Sequence, residues 1–200
     1  LFLSASYIIG RVLERVWITQ VSTFFTFVDS FWLALMVYFL MAVLVIDLVR
    51  LILFILPGKP HFAAANYTEI KKYLFFSITA LVSLVVLAGH INAITPRVTR
   101  LDLKIAKKAG SMKTLHIAAA SDIHMGTLVG PRRTAQLVRM LNERKADIIL
   151  LAGDIVDEDL APVIRYDLGR SLLKLQAPLG VYAITGNHEY IGGAEAAVKY

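Results

Sequence analysis

The hydrophobic pattern of this chain changes period part-way along, and each half predicts a different solvent. From Phe31 to Ile46 the run FWLALMVYFLMAVLVI carries no charge, and after Asp47 and Arg50 it resumes as LILFIL up to Pro57. Read as one helix, Phe31–Leu56 has 26 residues and a length of about 39 Å, more than the ~30 Å hydrocarbon layer of a bilayer. Tyr73–Ile94 adds 22 residues without a formal charge and predicts a second span. Both runs are apolar on every face, whereas a soluble helix shows a one-sided stripe. Residues 1–10 (LFLSASYIIG) read as the tail of an earlier, partial span, and residues 11–30, with Arg11, Glu14 and Arg15, as an interfacial helix.

Beyond Ile94 the pattern shortens. Leu101, Leu103 and Ile105 alternate with polar residues and predict a strand over Arg100–Ile105. Then come alternating units: strand Thr114–Ala120, helix Pro131–Arg144, strand Asp147–Ala152, helix Pro162–Leu175, strand Val181–Thr185, and a helix starting near Ala194. Pro131 suits the first turn of its helix, where a missing N–H costs nothing. The strands are continuous apolar runs, as expected of parallel strands covered on both faces. The expected organisation is a membrane domain over 1–94, a basic juxtamembrane linker and strand over 95–112, and an α/β region over 113–200.

Composition sharpens this division. With 57% hydrophobic and 18% charged residues and a mean hydropathy of +0.64, an ordinary water-soluble globule is excluded. Residues 1–94 hold 6 Lys/Arg and 4 Asp/Glu, and residues 95–200 hold 15 and 11. The net charge of +6 is concentrated beside the second span, where Arg97, Arg100, Lys104, Lys107, Lys108 and Lys113 face one acid, Asp102. A collar of this kind is a topology signal and a contact for anionic membrane lipid more than a nucleic-acid site, and no nucleic-acid partner is expected. In a hairpin of the two spans, eight Lys/Arg lie on the outer flanks and three in the loop at Lys59, Lys71 and Lys72. The positive-inside bias therefore places the C-terminal half in the cytoplasm. Asp47 and Arg50 stand at i, i+3, where they can pair on one helix face at the interface; His90 and Asn92 near a span end are read in the same structural way. With no cysteine, any metal must be held by oxygen and imidazole. The chain opens on Leu1 with no basic stretch ahead of its apolar run, so no secretory signal is read, and it is expected to be a window of a longer protein.

Three polar clusters follow three of the predicted strands: Ser121-Asp122-Ile123-His124, Gly153-Asp154-Ile155-Val156-Asp157 and Gly186-Asn187-His188-Glu189. The carboxyl ends of parallel strands share one edge, so residues 32 and 33 apart can converge there. Asp122 and His124, two apart on an extended stretch, are expected to point the same way. Gly153 and Gly186 let the backbone turn without crowding the site, and Asp154 would lie centrally, where one carboxylate can bridge two cations. Hard oxygens mixed with imidazole suit Mn, Fe or Zn better than Ca. Asp157, Glu158 and Asp159 read as a solvated, acid-rich helix start favoured by the helix dipole. Other chemistries lack their parts: there is no G-x-S-x-G, and Gly58-Lys59 is followed by Pro60, which breaks a phosphate loop.

Through SDIH, GDIVD and GNHE the sequence resembles the calcineurin-like metallophosphoesterase superfamily, and more closely its membrane-anchored bacterial members of the YkuE and YaeI type. The resemblance covers about 113–190. It implies N-terminal transmembrane helices followed by the first half of a calcineurin-like α/β sandwich, in the inner membrane of a bacterium. Carried over residue by residue, it makes Asp122 and His124 ligands of a first metal, Asp154 the bridge, Asn187 a ligand of a second metal, and His188 the acid that protonates the leaving oxygen. The activity implied is hydrolysis of a phosphoester or pyrophosphate by a hydroxide that two divalent ions activate. The tether and collar point to a lipid-linked substrate, such as a pyrophosphate of UDP-diacylglucosamine type. The family also has later metal-binding histidines, including G-H-x-H, which nothing after Glu189 supplies; His61, His90 and His116 all precede the site. The C-terminal part of the sandwich is therefore expected beyond Tyr200, with this stretch inactive alone. Two other readings stay open: a metal-binding membrane module without turnover, and a transporter or sensor built on Asp47 and Arg50 with an accessory phosphoesterase fold.

Overall fold

The computed structural model describes residues 19–56, 67–106, 110 and 112–200. The expected partial span at 1–10, the start of the interfacial stretch, His61, Lys59, Lys107 and Lys108 lie outside these residues. Two compact units are present, one containing Phe24–Leu103 and the other Lys104–Tyr200.

The first unit holds, from Phe24 onward, two helices long and apolar enough to cross a membrane, α1 (Gln20–Ile55, 36 residues) and α2 (Tyr67–Ile94, 28 residues). Helix α1 starts eleven residues before the expected span, so residues 20–30 are its first three turns and not a separate interfacial helix. Thr19 explains the start: its Oγ1 accepts the Ser22 N–H at 3.2 Å while Ser22 Oγ accepts the Thr19 N–H at 2.8 Å. The polar residues that follow are absorbed locally, since Ser30 Oγ donates back to Phe27 O at 2.7 Å and the Phe27 and Phe31 rings meet at 5.0 Å. In α2 the additional first turns carry Lys71, whose Nζ lies 4.2 Å from the Tyr67 ring centre. The helices are antiparallel neighbours: the His90 ring packs on Phe31 at 4.9 Å and on Phe27 at 6.1 Å. Arg50 and Asp47 pair at 3.0 Å within α1, as their spacing predicts. Phe54 and Ile55, each 71% exposed, typify an outer surface that is apolar all round.

Arg100–Ile105 is not a strand. The alternation is present in sequence, but no neighbouring strand pairs with it among the described residues, and Leu101, Leu103 and Ile105 stand 76%, 72% and 78% exposed. Alternation marks a candidate; ladder hydrogen bonds make a strand.

The second unit is a parallel α/β arrangement: β1 (Ile117–Ala120), α3 (Pro131–Glu143), β2 (Ile148–Ala152), α4 (Leu160–Arg165), α5 (Gly169–Leu172), β3 (Val181–Ile184), α6 (Asn187–Gly192) and α7 (Ala194–Lys199). The strands lie in the order β1-β2-β3, with Ile117 opposite Ile148 and Ile149 opposite Val181. Helix α3 starts at Pro131 as predicted and buries Thr134, Val138 and Leu141, one face at helical spacing. Val138, Leu141 and Val163 of α4 join Ala118, Ile149 and Leu151 in one core. Coverage is incomplete, contrary to the expectation from the apolar runs: in β2 Ile149 and Leu151 are buried and Ile148 and Leu150 half-buried, whereas all four residues of β3 are exposed.

The single helix expected over Pro162–Leu175 is two. Asp167 adopts φ 48°, Leu168 N–H donates to Val163 O at 3.0 Å and Asp167 N–H to Ile164 O at 3.1 Å. This is a Schellman closure, and its usual apolar contact is supplied by Leu168 and Val163, both fully buried. Asp159, from the acidic run, caps α4 by accepting the Ala161 N–H at 2.9 Å. Helix α6 was not anticipated. It is nucleated by Glu189 at its third position, whose Oε2 accepts the Gly186 N–H at 2.7 Å, and Gly193 at φ 110° ends it.

Candidate metal centre

The three clusters meet at the carboxyl edge of the sheet, with Asp154 following the central strand. Past the strand ends the β1 and β2 loops stay bonded laterally: Asp122 N–H to Gly153 O at 3.2 Å, His124 N–H to Asp154 O at 2.9 Å, Met125 N–H to Ile155 O at 2.9 Å and Asp157 N–H to Met125 O at 3.0 Å. Met125 and Val156 form an isolated parallel bridge. These bonds hold Asp122, His124 and Asp154 at φ 52°, 49° and 50°, in the left-handed region. The expected reason for their convergence was therefore wrong: the Asp122–His124 stretch is not extended, and its side chains converge because both residues turn through positive φ.

The two glycines differ in role. Gly153 has φ 83°, and a Cβ there would lie 2.9 Å from Gly186 Cα. Gly186 is extended, but a Cβ on it would lie 2.6 Å from Asp154 N and against Asp154 Oδ1. It is required for close approach, not for its φ.

Donor atoms of Asp122, His124 and Asp154 lie within 4.8 Å of one another. Ligands at about 2.1 Å from a common ion are about 3 to 4 Å apart, so this hard, oxygen-and-imidazole set fits a divalent cation with little adjustment. Asp154 is buried, His124 half-buried and Asp122 exposed. The Asp154 carboxylate is oriented by the His188 N–H, which donates to Oδ1 at 2.9 Å. Asn187 opens α6, exposed, immediately before His188.

A second donor group, overlapping the first, is His124, Asp157 and His188. Asp157 Oδ1 lies 3.1 Å from His188 Nδ1 and 3.8 Å from His124 Nδ1, and the two imidazole rings meet edge to face at 4.2 Å. Asp157 is solvated, as read from the sequence, but it also joins this donor group, ahead of α4 and not in its first turn; its place four residues after Gly153 in the loop was the available signal.

Glu189 was also passed over. It is 4% exposed, and its Oε1 accepts Ile155 N–H at 2.6 Å and Val156 N–H at 2.9 Å, while Oε2 accepts Asp154 N–H at 3.0 Å and Gly186 N–H at 2.7 Å. Burial pushes its pKa up, but the backbone N–H groups of Val156, Gly186, Glu189 itself and Ile155 together outweigh this and hold it below the ordinary carboxylate value.

Residues 115–200 match the profile of the calcineurin-like phosphoesterase family, Metallophos. The transmembrane protein with metallophosphoesterase domain of Bos taurus is 35% identical over 122 residues, 60% of this chain and 26% of that protein. An uncharacterized metallophosphoesterase of Aquifex aeolicus is 34% identical over 86 residues, 43% of this chain and 32% of that protein. UDP-2,3-diacylglucosamine pyrophosphatase LpxG of Chlamydia muridarum is 30% identical over 118 residues, 57% of this chain and 36% of that protein. The chain thus spans about a quarter to a third of the curated relatives it matches here. No solved structure gives a significant match. Behind its two candidate membrane-spanning helices, the chain is similar over residues 115–200 to the calcineurin-like phosphoesterase family.

Proposed function

We propose that the chain is the membrane-anchored, site-bearing part of a metal-dependent phosphoester hydrolase whose centre faces the cytoplasm. The observation that carries this reading is the gathering of Asp122, His124 and Asp154 donors within 4.8 Å, beside the Asp157–His188 pair, at the carboxyl edge of the sheet. Asp122, His124 and Asp154 would hold one divalent ion, and Asp154 with Asn187 a second. When bound, such ions neutralise phosphoryl oxygens and acidify a water for in-line attack. Mn, Fe and Zn all suit the donors.

The chain's own residues then divide the remaining work. Asp157 accepts the His188 Nδ1–H, which fixes the imidazole and leaves Nε2 to give a proton to the departing oxygen. Asp154, pinned by the His188 N–H, keeps its other oxygen for a cation. Apolar helices and the basic residues beside them support a reading in which this chemistry serves an anionic lipid surface. Together with the likeness to a UDP-2,3-diacylglucosamine pyrophosphatase, they favour a lipid-linked phosphoester or pyrophosphate as substrate. The Asp47–Arg50 pair, closed on one helix at 3.0 Å, favours a structural role for that couple over the transporter reading.

The test is Mn²⁺-dependent hydrolysis of bis-p-nitrophenyl phosphate by the full-length protein in detergent. Asp154→Asn should abolish it with the circular dichroism spectrum retained. Unchanged hydrolysis would end the site assignment, and Mn²⁺ binding without any turnover in the unmodified protein would favour the non-catalytic module.

A further inference from the structure

We propose that Glu189 is a positioning residue of the centre: by gathering backbone N–H groups from the loops after β2 and β3 onto one buried carboxylate, it sets where Asp154 presents its oxygens. The proposal rests on the metal-centre reading above and adds to it a residue that touches no cation.

An ionised carboxylate offers about four lone-pair sites. Glu189 gives all of them to Asp154, Ile155, Val156 and Gly186 N–H, at 2.6 to 3.0 Å. It therefore has no oxygen left for a metal, and it belongs to neither donor group. Its four donors include three successive residues of the β2 loop that β3 does not bond, so Glu189 supplies their partner. Asp154 needs such support, since φ 50° is a conformation a non-glycine residue keeps only when its surroundings over-determine it. One dipeptide does so from both ends: His188 N–H holds the Asp154 side chain through Oδ1 at 2.9 Å, and Glu189 holds the Asp154 N–H at 3.0 Å. The missing Cβ of Gly186 leaves the gap through which the two loops meet. Metal affinity should then depend on Glu189 beyond what its share in stability explains, as it does on groups that orient ligands without binding the ion.

The experiment is Mn²⁺ titration of the full-length protein in detergent, read by the electron paramagnetic resonance signal of free Mn²⁺, at a temperature where every variant is folded. Glu189→Gln keeps the shape and replaces one acceptor oxygen by a donor, and its Kd should rise about tenfold or more. Val163→Ala, a fully buried core position in α4, serves as a destabilised control and should stay within about twofold of the unmodified protein. An unmodified Kd in Glu189→Gln would overturn the proposal, and so would an equal rise in Val163→Ala at a similar loss of unfolding temperature. Should Glu189→Gln not fold, Glu189→Asp, one methylene too short to reach both loops, is expected to show the same rise, and unmodified affinity there would be equally fatal. Absence of Mn²⁺ binding in the unmodified protein would instead sink the metal-centre reading, and this proposal with it.

Discussion

Asp122, His124 and Asp154 share an unusual backbone conformation as well as neighbouring donor atoms, and this decides which substitutions are informative. Asn tolerates the left-handed region about as well as Asp, whereas Ala pays roughly 1 kcal/mol there. Asp154→Asn should therefore lose metal binding with little loss of metal-free stability. Asp154→Ala, which also strips the acceptor from His188 N–H, should unfold at a lower temperature than Asp154→Asn, by several degrees for a domain of this size. Asp157 can be probed through the leaving group. If its carboxylate orients His188 as a proton donor, Asp157→Asn should slow hydrolysis of an alkyl phosphodiester, whose leaving oxygen needs a proton, by about tenfold or more. The loss should be smaller for a p-nitrophenyl ester, which leaves as a stable anion; equal losses would argue against the proton-donor role. Glu189 has its own pH signature. Its folded-state pKa is depressed, so its contribution to stability is present above the ordinary carboxylate pKa and is lost as pH falls through the folded value. The stability gap between the unmodified protein and Glu189→Gln should accordingly be full at pH 7 and shrink toward the acid limb, as followed by denaturant titration at several pH values.

At the level of elements, the junction of α4 and α5 shows how one residue divides a helix. Asp167 at φ 48° closes α4, and glycine is the residue best suited to that position. Asp167→Gly should stabilise the domain by up to about 1 kcal/mol, its exposed pairing with Arg170 at 3.4 Å contributing little. Asp167→Val, β-branched and at positive φ, should destabilise it; denaturant midpoints for the two would move in opposite directions. The break within 162–175 was hidden because Asp167, not a glycine, takes the left-handed position; the sign against a continuing helix was the five-residue gap between the core residues Val163 and Leu168, about 140° around a helix. The order and kind of the strands, and helix α3, were legible because each apolar run is bounded by glycine, proline or polar residues. Arg100–Ile105 was misread because alternation carries no information about whether a partner strand lies alongside. The site residues were legible as residue types after strands, but not their geometry: positive φ at Asp122 and His124 leaves no mark in a single sequence. Glu189 could have been suspected, since Gly186-x-x-Glu189 has the spacing of a capping box.

At the scale of the whole molecule, the balance of charge around the two apolar helices predicts which compartment holds the centre. Lys71 and Lys72 lie in the first two turns of α2, so they belong to the end of that helix away from Arg97 and Arg100. The antiparallel contact of His90 with Phe27 and Phe31 puts the start of α1 and the end of α2 at one level. The cationic residues that follow α2 therefore share a side with the start of α1, away from Lys71 and Lys72, which keeps the positive-inside bias pointing the same way. These 200 residues contain no cysteine, so within them a single introduced one is the only thiol that reports a compartment. Lys199→Cys, at the exposed end of α7, should react with a membrane-impermeant maleimide only after the membrane of intact cells is permeabilised. Labelling of intact cells would reverse the orientation and expose the centre to the opposite compartment. A phosphoester lipid of the outer leaflet, or a soluble substrate outside the cytoplasm, would then become the chemistry to test.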